Sequence, residues 1–216
     1  MKEKKYPLYL LDGIHGVFSI NRLYGQTFLP DSKTYTFWGP GISQGHGQAI
    51  RCVNGVVDGV QYTIPIERTV EAVRSGDTTD FTTRQKHTRV CYVVAEDGSD
   101  KNAIEEEIKN MPNYFSDYDT TVNFITLEEL KKEHSKMPHG GFVITSGNTS
   151  QENKQVIEYS LKLDSNPEFA ASIVVSYARA AYRLYKKGVT GAKTVFDIAP
   201  ILLSPKNPEE LIKEIL

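Results

Sequence analysis

Residues 88–95, TRVCYVVA, constrain this chain more than any other stretch. A short run of β-branched and apolar residues reads as a buried strand, so a covered sheet has to be built around it. Further strand patterns lie at 34–38, at 59–66 with Val60, Tyr62 and Ile64 alternating, and at 122–125, 141–145 and 155–163. Helical spacing marks 17–28, 43–53, 67–74, 101–111, 127–134 and 167–187, and a last helix starts near Pro208. The longest helix has proline at its first position and Gly188 just past its end, the expected punctuation. Strands separated by helices of varying length, with several strand pairs close in sequence, predict an α+β fold. Its form is a mixed, largely antiparallel sheet with helices on one face.

The pattern is not that of a doubly wound nucleotide fold. Such a fold needs a strand, a tight glycine loop and a helix whose N-terminus faces a pyrophosphate. The glycine-rich stretch from Gly39 to Gly45 has the wrong spacing, carries Pro40 inside it and lacks the acidic residue that should follow. It reads as a turn at a strand end that could offer backbone N–H groups to an anion.

A net charge of -2 excludes nucleic-acid roles that depend on a basic surface. No apolar run approaches the roughly 20 residues that span a bilayer. Cys52 and Cys91 are not a CxxC pair and read as reduced packing residues of a cytoplasmic protein. His134 and His139 are the closest histidine pair, but they lie across a proline with no third ligand at a familiar spacing, so no metal is expected. Nor is there a GxSxG, Cys/His or Walker pattern.

Three residues could carry binding chemistry or merely structure. Arg89 opens the buried strand, where it is either a solvated strand end or a bidentate clamp for a carboxylate. Asn166 precedes Pro167 and is either a helix cap or a ligand-binding amide. Trp38 is the one tryptophan and is either core or a pocket wall.

Several motifs keep a common order and spacing: FSINR (18–22), TFWGPGISQGH (36–46), QYTIP (61–65), MPHGG (137–141) with VIT (143–145), LKLDSNP (161–167) and APILLSP (199–205). Together they resemble the meso-diaminopimelate dehydrogenases, from about Val17 to the C-terminus. The resemblance implies a substrate-binding and dimerisation domain and an NADP-dependent oxidative deamination of meso-diaminopimelate in lysine biosynthesis. It also implies a cytoplasmic homodimer.

Carried over by motif, the substrate-binding residues are Trp38, Gln44, Gly45, Thr63, Arg89, His139 and Asn166. Arg89, Thr63 and His139 would hold the distal amino-acid end, Trp38 would wall the aliphatic chain, and Asn166 would orient a carboxylate. A ligand with two carboxylates and two ammonium groups needs such a charge clamp with fixed polar partners.

Family members place a Rossmann domain before this region, and no complete Rossmann domain is expected here. The family's STGWDPG loop is replaced by LLDGIHG at 10–16. Residues 8–14, LYLLDGI, are what a VISTGWD-like coding stretch gives, for one choice of synonymous codons, when read one nucleotide later. The organisation expected is therefore an aberrant, out-of-frame segment at 1–15 and the binding and dimerisation domain at 16–165. A C-terminal helical segment at 166–216 would pack in the family on the nucleotide domain. That segment is expected to expose Ile198, Ile201 and Leu202, and the chain alone to be catalytically inactive. Two other readings remain open: a stand-alone diaminopimelate-binding module, and half of a split dehydrogenase completed by a separately encoded nucleotide-binding domain.

Overall fold

The computed structural model describes residues 13–151 and 153–216. The chain divides into two compact units, Tyr24–Asn166 and a second that joins the residues up to Leu23 to Pro167–Leu216. The expected aberrant segment lies, for residues 1–12, outside the described residues. From Gly13 the chain is helical: α1 runs Gly13–Phe28, reaching back four residues beyond the expected start, with Ile14 and Phe18 buried.

The larger unit holds two sheets. In one, β1 (Ser32–Trp38), β6 (His139–Asn148) and β7 (Lys154–Leu163) lie in the order β1-β6-β7, all antiparallel. In the other, β2 (Gly41–Ile42), β3 (Val56–Pro65), β4 (His87–Ala95) and β5 (Asp119–Phe124) lie in sequence order. Here β2-β3 and β3-β4 are antiparallel, whereas β4-β5 is parallel. The α+β class holds, and the strands divide between two sheets instead of lining one. The division follows from β1, whose partner is β6 rather than its sequence neighbour β2.

The TRVCYVVA run is β4, and its burial alternates: His87, Arg89, Cys91 and Val93 are buried, with half-buried residues between them. Cys91 and Val93 pack with Ile50 of α2 (Gln44–Arg51) and Val53 just after it, with Ile104 and Ile108 of α5 (Lys101–Asn110), and with Phe115. Helix α5 is the crossover that a parallel β4-β5 pair requires. On the other sheet, Tyr35 and Phe37 of β1 and Ile144 of β6 meet Val70 and Val73 of α3 (Glu67–Arg74). Two short helices, α4 (Thr83–Lys86) and α6 (Leu127–Glu133), each start with a reciprocal capping box, from Thr82 and Thr126.

In the smaller unit the core forms along α7 (Asn166–Lys186). Ile173, Tyr177 and Ala180 pack with Val195 of a short 3-10 turn (Val195–Asp197) and with Ile198. The expectation that Ile198 would be exposed is therefore corrected: it is 6% exposed, drawn into this cluster by the 3-10 turn before it. Leu202, in α8 (Pro200–Leu203), also packs against the cluster, and Ile201 is half-buried. Arg183 donates to the carbonyls of Leu202 and Ser204 at 2.9 and 2.7 Å, fixing the segment that precedes α9 (Pro208–Ile215). Among the described residues, the large apolar side chains this unit exposes are instead Leu23, Val174, Val175, Tyr182, Phe196, Ile212, Ile215 and Leu216.

Candidate functional site

The pairing of β3 with β4 sets Thr63 directly opposite Arg89. On either side, Gly41 of β2 faces Thr63 and Thr120 of β5 faces Arg89, so four strands contribute to one rung. Both central side chains are buried, Thr63 to 3% exposure and Arg89 to 5%. Arg89 Nη1 donates to Thr63 Oγ1. Its guanidinium stacks over the Tyr118 ring, 3.9 Å from the centroid.

Arg89 is therefore not the solvated strand end that strand openers usually are. Burial pushes its pKa below the ordinary arginine value, with Tyr118 working in the opposite direction. A buried guanidinium normally sits against a carboxylate. Among the described residues none pairs with Arg89, and its Nε lacks any hydrogen-bond partner. The group is a desolvated cation with donor capacity in hand, which is what an incoming anion needs.

A second group of predicted residues meets at Met137. Gln44 Nε2 donates to Met137 Sδ at 3.2 Å, and the Asn166 backbone N–H donates to the Met137 carbonyl at 2.9 Å. Asn166 opens α7, yet its Oδ1 is buried and accepts nothing, so the amide is not spent on a cap. Gly45 stands beside Gln44 in α2, and nothing lies within 4 Å of where its Cβ would be.

Trp38 ends β1 and is half-buried. Its backbone N–H donates to Nε2 of His87 at 2.8 Å. The Gly39-Pro40 bond that follows is cis, and Gly39 N–H donates to the Gly140 carbonyl at 2.9 Å.

His139 takes a separate position. It lines a cleft of about 240 Å³ with Pro40, Gly41, Tyr62, Pro138 and Leu163. Gly41 joins the two places. A Cβ there would stand 2.4 Å from His139 Cα and 2.6 Å from the Pro138 carbonyl oxygen. Both obstacles are backbone, so Gly41→Ala should destabilise the protein by about 2 kcal/mol or more, as overpacking without relief does. Urea unfolding at neutral pH measures it, and a variant as stable as the parent would show that the β2 and β6 backbones can part.

Sequence reasoning missed four neighbours of these residues. Gln61 is fully buried, and its Nε2 donates to Thr63 Oγ1 at 3.2 Å. Tyr118 lies under Arg89. His46 packs edge-on against Tyr114 and Phe115, and its Nδ1 lies 2.7 Å from Ser43 Oγ. Burial, reinforced by Arg89, lowers its pKa to about 4. His87 is lowered to about 3 by burial and by Lys86 and Arg89, which keeps its ring neutral and able to accept from Trp38. Gln61 and His46 stood inside recognised motifs, but only the β3-β4 register shows what they touch.

Among the described residues no group of three potential metal ligands comes together, and no helix is long and apolar enough to cross a membrane.

The chain is similar to known proteins. The meso-diaminopimelate D-dehydrogenase of Acetivibrio thermocellus is 63% identical over 203 residues, covering 93% of this chain and 61% of that protein. A meso-diaminopimelate dehydrogenase of Clostridium tetani E88 that carries six substitutions, solved with diaminopimelate, superposes with a TM-score of 0.89. It is 56% identical, and the match covers 94% of this chain and 63% of that one. An engineered D-amino acid dehydrogenase bound to NADP+ gives a TM-score of 0.86 at 43% identity, covering 98% of this chain and 66% of that one. The chain thus spans about three fifths of the length of the curated relative. Residues 14–165 match the family described as the diaminopimelic acid dehydrogenase C-terminal domain, and the chain belongs to that family.

Proposed function

We propose that this chain is the substrate-recognition part of a meso-diaminopimelate dehydrogenase. The complete enzyme would be an oxidoreductase of the cytoplasm that deaminates the D-configured centre with NADP and works as a homodimer. The observation that carries the reading is Arg89, a buried guanidinium without a carboxylate partner, joined to Thr63. In that site Arg89 and Thr63 hold a carboxylate of the ligand's distal end. Asn166 offers its unpartnered Oδ1 to the ligand, Gln44 and Gly45 border it, Trp38 walls the aliphatic chain, and His139 closes the site from the β6 side.

The substituted Clostridium tetani relative supports this assignment. Its six substitutions replace a glutamine, a threonine, an arginine, a proline, a histidine and an asparagine, in that order. Their separations along the chain equal those of Gln44, Thr63, Arg89, Pro138, His139 and Asn166 here.

The described residues do not fit the nucleotide. The parallel β4-α5-β5 unit is the place where a dinucleotide loop would have to sit. There the Asp100 carboxylate already accepts from the N–H groups of Asn102 and Ala103, and its charge would repel a phosphate. NADP belongs to the portion of the relatives that this chain does not match, whether joined to it or supplied as a separate chain. The proposed division is a binding and dimerisation part at 16–165 and a part at 166–216 that meets the nucleotide-binding portion, with residues 1–15 outside both.

Calorimetry tests the reading. Titration of meso-diaminopimelate into the chain should give saturable binding about 100-fold tighter than that of D-alanine, which leaves the distal donors unpaired. Turnover with NADP by the pure chain should be undetectable. Equal affinity for both amino acids would overturn the site, and turnover would overturn the assignment of the nucleotide.

A further inference from the structure

The Thr63 hydroxyl has one proton to give and two lone pairs to accept with. Both lone pairs are taken. One receives the N–H of Arg89 Nη1 from the facing strand, and the other receives Gln61 Nε2 from two residues back on the same strand. The three side chains are 5%, 3% and 0% exposed, so water does not compete for these bonds. Among the described residues the hydroxyl proton is donated to nothing, and Gln61 Oε1 accepts from nothing.

We propose that Gln61 is a positioning residue that fixes Thr63 as a hydrogen-bond donor and thereby makes the Arg89 end of the site selective for a carboxylate. The inference rests on the site proposed above and assigns a role to a residue that does not touch the ligand. With both lone pairs filled, the hydroxyl cannot accept from a ligand ammonium. It can only point its proton outward, beside the donors of Arg89. Two donor groups then converge, and an amino acid entering with its ends reversed in polarity meets N–H and O–H groups where it would need acceptors.

Gln61→Leu keeps the size and burial of the side chain but removes the donor. One lone pair of Thr63 is then free, the hydroxyl can turn, and its proton is no longer committed to the ligand. Loss of one oriented hydrogen bond to a charged group corresponds to roughly a tenfold weaker affinity for meso-diaminopimelate. Gln61→Glu should weaken it at least as much, since a carboxylate would draw the Thr63 proton and the Arg89 charge to itself.

The decisive measurement is a double-mutant cycle on the chain, read by calorimetry with meso-diaminopimelate. In the Thr63→Val background there is no hydroxyl to orient, so adding Gln61→Leu should change the affinity less than twofold. D-lysine, which has an amine but no carboxylate at the distal end, should bind the Gln61→Leu variant as it binds the parent. Independent, additive losses in the cycle, or an equal loss for D-lysine, would overturn the role of Gln61 while leaving the site in place. Absence of diaminopimelate binding by the unsubstituted chain would instead remove the site itself, and the inference with it.

Discussion

Arg89→Met should weaken meso-diaminopimelate binding by about 100-fold or more, and the same variant should be more stable than the parent when no ligand is present. The two effects have one cause. In the free protein Arg89 is buried, its Nε is unpartnered and no carboxylate among the described residues offsets its charge. Methionine has a similar reach and keeps contact with the Tyr118 ring, which now lies under the guanidinium. Replacing an unpaired buried cation by an apolar chain of similar length relieves desolvation, with a gain of about 1 kcal/mol or more. The ligand carboxylate, in contrast, loses its only buried cationic partner in this rung.

Arg89→Lys should fall between the two. It keeps the charge but presents a point donor in place of the planar fork that donates to Thr63 and, in the proposed site, has further donors for the ligand. Calorimetry measures the first effect and urea unfolding of the ligand-free variants the second. A variant that unfolds more easily and still binds diaminopimelate as the parent does would make Arg89 a packing residue. That is the reading a strand-opening arginine would otherwise receive.

Much of the architecture was legible because the relevant patterns are long. Residues 67–74 and 127–134 carry helical periodicity, and they form α3 and α6 within a residue of the expected ends. TRVCYVVA had no helical alternative of adequate length, and it is β4. What was not legible is short or non-local. Strand β2 has two residues and α4 has four, too few to display a period. The split into two sheets depends on β1 choosing β6, a partner about a hundred residues away, over the adjacent β2.

The site followed the same rule. Arg89, Thr63, Gln44, His139 and Asn166 could be picked out by motif, but nothing local says that Thr63 and Arg89 face each other or that Gln44 and Asn166 meet at Met137. Gln61 stood inside a motif, but neither it nor His87 signalled its burial, because a buried amide or imidazole in an alternating strand looks the same as an exposed one. The Ile198 expectation failed for a related reason. It rested on the segment packing in the family against a nucleotide domain, whereas the 3-10 turn at Val195–Asp197 folds Ile198 inward onto α7.

His87 and His46 carry the other large expected effect: the chain should lose about 4 kcal/mol of stability between pH 8 and pH 5. Their folded pKa values, about 3 and about 4, lie well below the unfolded value near 6.5. For a depressed histidine, the stabilisation is complete above the unfolded pKa and is lost as pH falls toward the folded one. Within the window from 6.5 down to about 4 the unfolded chain takes up protons that the folded chain refuses. At pH 5 each histidine favours the unfolded state by about 2 kcal/mol relative to pH 8. The depressed carboxylates Asp77, Glu129 and Asp197 contribute little in this window, because even unperturbed carboxylates titrate below pH 5. The structural reason for the refusal is explicit at His87. Its ring is buried beside Phe37, the charges of Lys86 and Arg89 oppose a further proton, and its Nε2 must stay unprotonated to accept the Trp38 N–H that ends β1. At His46, Arg89 adds repulsion to burial, so the same buried cation that is proposed to bind the ligand also keeps this imidazole neutral. Bound diaminopimelate should therefore soften the acid loss, since its carboxylate offsets Arg89. Urea unfolding at pH 8 and pH 5, with and without ligand, measures both effects. In His87→Gln the pH-dependent part should fall by about half, whatever the variant's stability at pH 8. A parent protein whose stability is flat between those pH values would mean that both rings take protons in the folded state, and the closed, cationic surroundings described for them would be wrong.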